Sequence, residues 1–201
     1  MSQIRRIFAK FDRNVAASLR GAERRGERLA CRGRGCHWCC YDVSLISRWE
    51  VREMLSAFRR LSPEVQGRVR AQYERWMENH QDLLLGLSWD LDVQPNARLV
   101  ERSAERDTPC MFLVDRACSV YDARPIPCRG HHSLDESQDL CGERNLGRAA
   151  VKCLDLSKLV LAAWARIGDA LPPMGELHEM VAAYGGREGF GPAGGEPCAG
   201  S

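Results

Sequence analysis

Nine of the ten cysteines in this 201-residue chain fall into two groups, so soft-metal or thiol chemistry is the first thing the residues imply. Cys31, Cys36, Cys39 and Cys40 form the run C-x4-C-x2-C-C. Cys110, Cys118 and Cys128 form a second group that continues through Cys141 and Cys153. Thiolates two to four residues apart in a loop can converge on one ion without distorting the backbone. Cys36 and Cys39 can chelate from a single turn, with Cys31 and one further cysteine completing a four-ligand set. Cys39 and Cys40 are adjacent and project in different directions. One of them therefore bridges, serves a second centre, or is a spare or redox thiol, and a thiol–disulfide relay through Cys36, Cys39 and Cys40 is a further reading. The C-x4-C-x2-C spacing also coincides with the plant-type ferredoxin pattern, but the helical surroundings and the lack of an acidic surface argue against a ferredoxin.

Composition limits the classes of function. A formal net charge of +2 offers no electrostatic case for nucleic-acid binding. The start of the chain reads as amphipathic, without the apolar core of a secretory signal, and no stretch is apolar for long enough to span a bilayer. These features predict a cytoplasmic protein with reduced thiols, no transmembrane segment and no nucleic-acid partner, leaving an unidentified protein as the open partner class. Walker and Rossmann glycine patterns are missing, and Asp90 and Asp92 lack the glycine and distal glutamate of a calcium loop.

The elements that must position the cysteines are mostly helical. Ile4, Ile7, Phe8, Phe11, Val15 and Leu19 recur at helical spacing and predict an amphipathic helix over 3–20. Gly21, Gly26, Gly33 and Gly35 then loosen the chain into the first cysteine run. Ser47-Arg48-Trp49-Glu50 is a capping box for a helix continued by Val51, Met54, Leu55 and Phe58. Ser62 and Pro63 start the next helix as N-cap and first residue, with Val65, Val69, Tyr73, Trp76 and Met77 on its buried stripe. A loop over 86–95 and a short helix over 96–106 follow. Cys110–Leu113 and Cys118–Tyr121 predict a hairpin with one cysteine on each arm, and Pro125 and Pro127 break regular structure before Cys128. Leu154, Leu159, Val160, Ala163, Trp164 and Ile167 predict a central apolar helix ended by Pro172-Pro173. A last helix carries Leu177, Met180, Val181 and Tyr184, with His178-Glu179 read as a surface feature. Residues 185–201 are predicted to be a disordered tail in which Cys198 takes no part.

Several side chains near the cysteines could assist them. Arg124 and Arg129 can donate hydrogen bonds to sulfur and offset the negative charge of a thiolate cluster, and Pro125 sets the direction of Arg124. His37, His131 and His132 are alternative nitrogen ligands.

Cys31 and Cys36-His37-Trp38-Cys39-Cys40, followed by Pro109-Cys110-Met111-Phe112-Leu113 and by Cys118-Ser119-Val120-Tyr121-Asp122-Ala123-Arg124-Pro125-Ile126-Pro127-Cys128-Arg129, resemble the CxxCxxCC (YkgJ-type) cysteine-cluster family. The resemblance covers roughly residues 31–153. It implies chelation of zinc or iron, with an iron–sulfur cluster as a variant. The candidate metal ligands are Cys31, Cys36, Cys39, Cys40, Cys110, Cys118, Cys128 and Cys141, and the chemistry of Tyr121, Arg124 and Arg129, apart from the resemblance, makes them the candidates around the metal. One relative is a flagellin lysine methylase that uses S-adenosylmethionine, so an iron–sulfur enzyme of that kind is the alternative to a metal-binding protein. The expected fold is mainly α, a single domain over 1–184 whose helices pack around cysteine-rich metal-binding loops with one small β-hairpin.

Overall fold

The computed structural model describes residues 2–30, 36–41, 44–84, 108–134, 141, 153–167 and 174–185. Cys31, the predicted loop and helix over 86–106, Pro172-Pro173 and the tail beyond Gly185 lie outside these residues. The fold is mainly α, as expected. Helix α1 (Gln3–Arg24) is longer than its apolar pattern suggested and contains Gly21. It ends at Gly26, whose φ of 78° lies in the left-handed region that glycine enters without a Cβ clash. There Gly26 N–H donates to the Glu23 carbonyl and Glu27 N–H to the Ala22 carbonyl, which satisfies the last turn.

Strand β1 (Leu45–Ser47) leads directly into α2 (Arg48–Phe58), and the capping box at their junction is formed in full. Helix α3 (Pro63–Leu84) starts as predicted, with the Ser62 hydroxyl accepting from Val65 N–H. Val69, Tyr73 and Trp76 are its buried stripe, while Val65 and Met77 are only partly buried.

The hairpin is shorter than expected: β2 (Leu113–Val114) pairs antiparallel with β3 (Ala117–Cys118). Asp115 and Arg116 form its turn with φ of 51° and 60°, matching a two-residue turn with both central residues left-handed. The two arms do not each carry a cysteine. Cys118 lies on β3, but Cys110 precedes β2 in a turn closed by Leu113 N–H on the Cys110 carbonyl. The second departure comes at the prolines. Pro127 does not break the chain before Cys128 but sits in the first turn of a short helix, α4 (Ile126–Gly130). In a first turn its missing N–H leaves no hydrogen bond unmade.

The C-terminal part adds α5 (Ser157–Ile167), β4 (Met174–Glu176) and α6 (Leu177–Tyr184). Strand β4 pairs antiparallel with β1, placing Leu45 opposite Glu176 and Ser47 opposite Met174. This second two-stranded sheet had no signal in the sequence, since three residues are too few to show alternation. Helix α5 is apolar as expected but not central. It packs on α1 at one side, and Leu161 remains 60% exposed.

Buried side chains form two clusters. One holds Ile46, Met54, Phe58, Val69, Met111, Phe112 and Val181 with their neighbours from β1, α2, α3, the hairpin and α6. The other holds Phe8, Phe11, Val15, Ile126, Leu156, Ala163 and Ile167 from α1, α4 and α5. Helix α4 approaches its neighbours closely at Gly130, where a Cβ would stand 3.2 Å from Val160 and 3.3 Å from Phe11.

Glu50 ties the two clusters together. Its Oε2 accepts from Ser47 N–H at 2.8 Å inside the capping box, and its Oε1 accepts from Ile126 N–H, the first residue of α4, at 2.7 Å. The side chain is fully buried. Burial pushes its carboxyl above the ordinary value of 4.5, and the N–H donors offset only part of that. A carboxyl whose pKa is higher in the folded chain stabilises fully below the unfolded value, and that contribution fades as pH rises through the folded one. Glu50→Gln removes the titration and turns one acceptor into a donor facing an N–H. We expect it to lower unfolding free energy by about 1–3 kcal/mol. The gap between wild type and variant in urea-melt stability should be widest below about pH 4.5 and narrow at higher pH. A gap that widens with pH would refute the assignment.

Candidate metal centre

Six cysteines line a single cavity of about 100 Å³: Cys36, Cys39, Cys40, Cys110, Cys118 and Cys128. They come from three pieces of chain. Cys36 precedes a 3-10 turn (Trp38–Tyr41) that contains Cys39 and Cys40. Cys110 and Cys118 stand before and within the hairpin, packed against the first apolar cluster. Cys128 sits in the middle of α4, whose Ile126 plugs into the second cluster. The two cysteine groups are joined by backbone, since Cys110 N–H donates to the Cys40 carbonyl at 2.6 Å. Gln72 of α3 steadies the same turn, donating from Nε2 to the Cys110 and Leu113 carbonyls at 3.3 Å each.

The thiols are close enough to oppose one another's ionisation. Burial pushes the Cys128 thiol up to about 12, helped by the neighbouring Cys39 and Cys118, while Ser44 and Arg124 act in the other direction. The Ser44 hydroxyl lies 3.8 Å from the Cys128 sulfur. For Cys40 the largest effect, a hydrogen bond with Cys39, favours the thiolate. Burial and the fields of Cys110, Cys128 and Cys118 outweigh it and raise the thiol. Burial likewise raises Cys118, against the pull of Val120 N–H, Arg124 and Arg129. Sulfurs this crowded can ionise together only if positive charge enters among them. None of the described cysteines forms a disulfide. Among the described residues no three His, Cys, Asp or Glu side chains are drawn together tightly enough to hold an ion as they stand. The sulfurs surround a space instead of meeting at a point. Their donor chemistry fits zinc and iron, both of which take thiolate ligands.

Arg124 contributes positive charge directly at the cavity wall. Its guanidinium carbon lies 3.6 Å from the centre of the Tyr121 ring, and both residues line the cavity. The Arg124 Nε is buried and has no hydrogen-bond partner among the described residues. Arg129 faces the other way. It donates from Nε to the Arg124 carbonyl, from Nη1 to Asp12 at 2.6 Å and from Nη2 to the Asp122 carbonyl, and it lies over the Phe8 ring. Its guanidinium thus ties the Asp122–Arg124 segment to α1, while its charge still reaches Cys118.

The remaining candidates divide. Cys31 is outside the described residues. Cys141 is buried but does not line the cavity. Cys153 is exposed, in a β-bridge with Ser133, and its sulfur is 4.0 Å from His131 Nε2. His132 points to the Arg129 carbonyl and His37 stacks on Trp38, and none of these three histidines lines the cavity.

His178 corrects the sequence reading. It is a buried cavity-lining residue, not a surface feature. Its Nε2 accepts from Met111 N–H at 3.1 Å, and its ring stacks on Trp76 with centroids 3.7 Å apart. It holds the residue after Cys110 in place. A near-miss to a zincin motif could not reveal this, because the partner lies 67 positions away. Ser44 and Glu50 were also missed as supporting residues, although the capping box marked Glu50 as locally important.

On the far side of Cys118 and Tyr121 a second cleft of about 560 Å³ opens between α1 and α2, with Arg5, Glu53, Arg60 and Asp12 on its walls. The Arg5–Glu53 ion pair at 2.7 Å closes one end of it.

No curated protein and no solved structure matches the chain. The pattern of one family does match, over residues 30–153, a span that contains all six cavity cysteines, Tyr121, Arg124 and Arg129. That family is described as "Putative zinc- or iron-chelating domain", and with more than half of its length matched, the chain belongs to the CxxCxxCC family.

Proposed function

We propose that the protein binds zinc or iron through Cys36, Cys39, Cys40, Cys110, Cys118 and Cys128, and that the bound metal holds the two halves of the fold together. One observation carries this reading: cysteines about 70 positions or more apart in sequence line one cavity, where their mutual repulsion calls for a cation. Arg124 supports the same reading, since its buried Nε, without a hydrogen-bond partner among the described residues, suits a neighbour that carries negative charge. The metal would supply the charge that lets the thiols ionise and a bond network joining the hairpin, the 3-10 turn and α4. The residues would supply direction: Cys110 through Gln72 and His178, Cys128 through Glu50 at the start of α4. No described helix is long and apolar enough to cross a membrane.

Structural zinc sites contribute about 10–16 kcal/mol of apparent binding free energy, comparable with the whole stability of a domain. Cys128→Ser should therefore lower bound metal by at least about half, measured by plasma mass spectrometry on anaerobically purified protein. It should also lower Tm by roughly 6–12 °C, the shift about 3 kcal/mol makes in a chain of this size. Cys153→Ser, outside the cavity, should leave both unchanged. Full metal content in Cys128→Ser would sink the proposal.

The pH dependence has a definite sign. Thiols raised above their ordinary value of 9.0 are protonated at neutral pH in the metal-free protein, so metal entry must expel protons. Apparent affinity should rise with pH, and the slope of log affinity against pH between 6 and 8.5 should be about three or more. A slope near zero in a competition titration with a chromophoric chelator would contradict binding by these thiols. In the metal-free protein the raised thiols stabilise below about pH 9. That contribution should disappear as pH climbs toward about 12, the value for Cys128.

A further inference from the structure

Six sulfur donors are more than one tetrahedral ion can use, since such an ion offers four positions. All six line one cavity of about 100 Å³. Cys39 and Cys40 are neighbours on one 3-10 turn, so both cannot easily be terminal ligands of the same ion, yet both line the cavity.

We propose that the cavity holds a pair of divalent ions bridged by cysteine sulfur, with the six cavity cysteines as the ligand set. Two tetrahedral ions present eight positions, and six thiolates fill them when two of the six bridge. The arrangement carries a net charge of about −2 from six thiolates and two divalent ions. It needs no donor beyond the six and no inorganic sulfide. Formation is a proton-for-metal exchange without oxidation or reduction: each thiol loses its proton to solvent and forms sulfur–metal bonds. Arg124 meets that negative charge at the wall, which gives its buried Nε an acceptor. Cys40 is the central candidate for a bridge. It stands beside Cys39 on the 3-10 turn, and its carbonyl accepts from Cys110 N–H at 2.6 Å, so it sits where the first cysteine group meets the second.

This inference rests on the metal-binding reading above, and one experiment separates the two. Cobalt(II) is titrated anaerobically into the full-length metal-free chain, followed by sulfur-to-cobalt charge-transfer absorption and by electron paramagnetic resonance. The expected result is saturation at two cobalt ions per chain. The paramagnetic signal of the first ion should diminish as the second enters, because bridging sulfur couples the two spins. Cys153→Ser should behave like wild type, and Cys40→Ser should lose the spin coupling. Saturation at one ion overturns the pair and leaves the metal-binding reading intact. Two ions without coupling overturn the bridge in favour of separate sites. Acid-labile sulfide in the protein as purified overturns the pair in favour of an iron–sulfur cluster. A chain that takes up no cobalt and shows no charge-transfer band overturns both readings.

Discussion

Crowding ionisable sulfur away from water is the constraint that organises this molecule. A thiolate is costly in a low-dielectric interior, and several within reach of one another are costlier still, because each adds its field to the others. The fold brings six such groups to one cavity, and burial there raises the thiols of Cys40, Cys118 and Cys128. Left alone they would remain neutral thiols packed on apolar side chains. With a soft cation among them the same crowding becomes chelation, since the ion reverses the sign of the local field. The basic Arg124 and polar Ser44 at the wall favour the ionised state in advance.

Polar groups behind the cavity carry much of the structural burden. Glu50 binds the start of α2 to the start of α4 through two main-chain N–H groups while fully buried. Arg129 binds two carbonyls of the preceding segment and Asp12 of α1. His178 binds Met111 and stacks on Trp76. Each is hydrogen-bonded, as buried polar groups must be if they are not to cost stability. Together they fix three short cysteine-bearing segments that have almost no regular structure of their own. The cavity is walled by Met54, Phe112 and Leu177 of the first apolar cluster, and Cys128 reaches it from the helix whose Ile126 packs in the second.

Much of the local structure was legible from residue patterns because its causes are local. The capping box at Ser47 and Glu50, the Ser62-Pro63 helix start and the apolar stripes of α1 and α3 follow from neighbours within one or two turns. Errors arose where a pattern was read without its position. Pro127 breaks a helix interior but is harmless in a first turn, and it sits in the first turn. Cys110 and Cys118 seemed to face each other across a hairpin, but the tight turn at Asp115-Arg116 pairs only two residues per strand and leaves Cys110 outside.

The amino-acid sequence by itself determined the chemistry: thiols in two groups, an arginine and a tyrosine beside them, a mainly helical scaffold and membership of a metal-chelating family. Those properties are set by side-chain type and short-range spacing. Only the tertiary structure decided that the two groups form one cavity, that Cys141 and Cys153 stand apart from it, and that Arg124 lines it over Tyr121 while Arg129 is held by two carbonyls and Asp12. It likewise moved His178 from surface to core and paired β1 with β4 across more than a hundred residues. Such pairings depend on how apolar clusters close over distant segments, and a local pattern holds no record of which distant partner the burial of apolar surface will select.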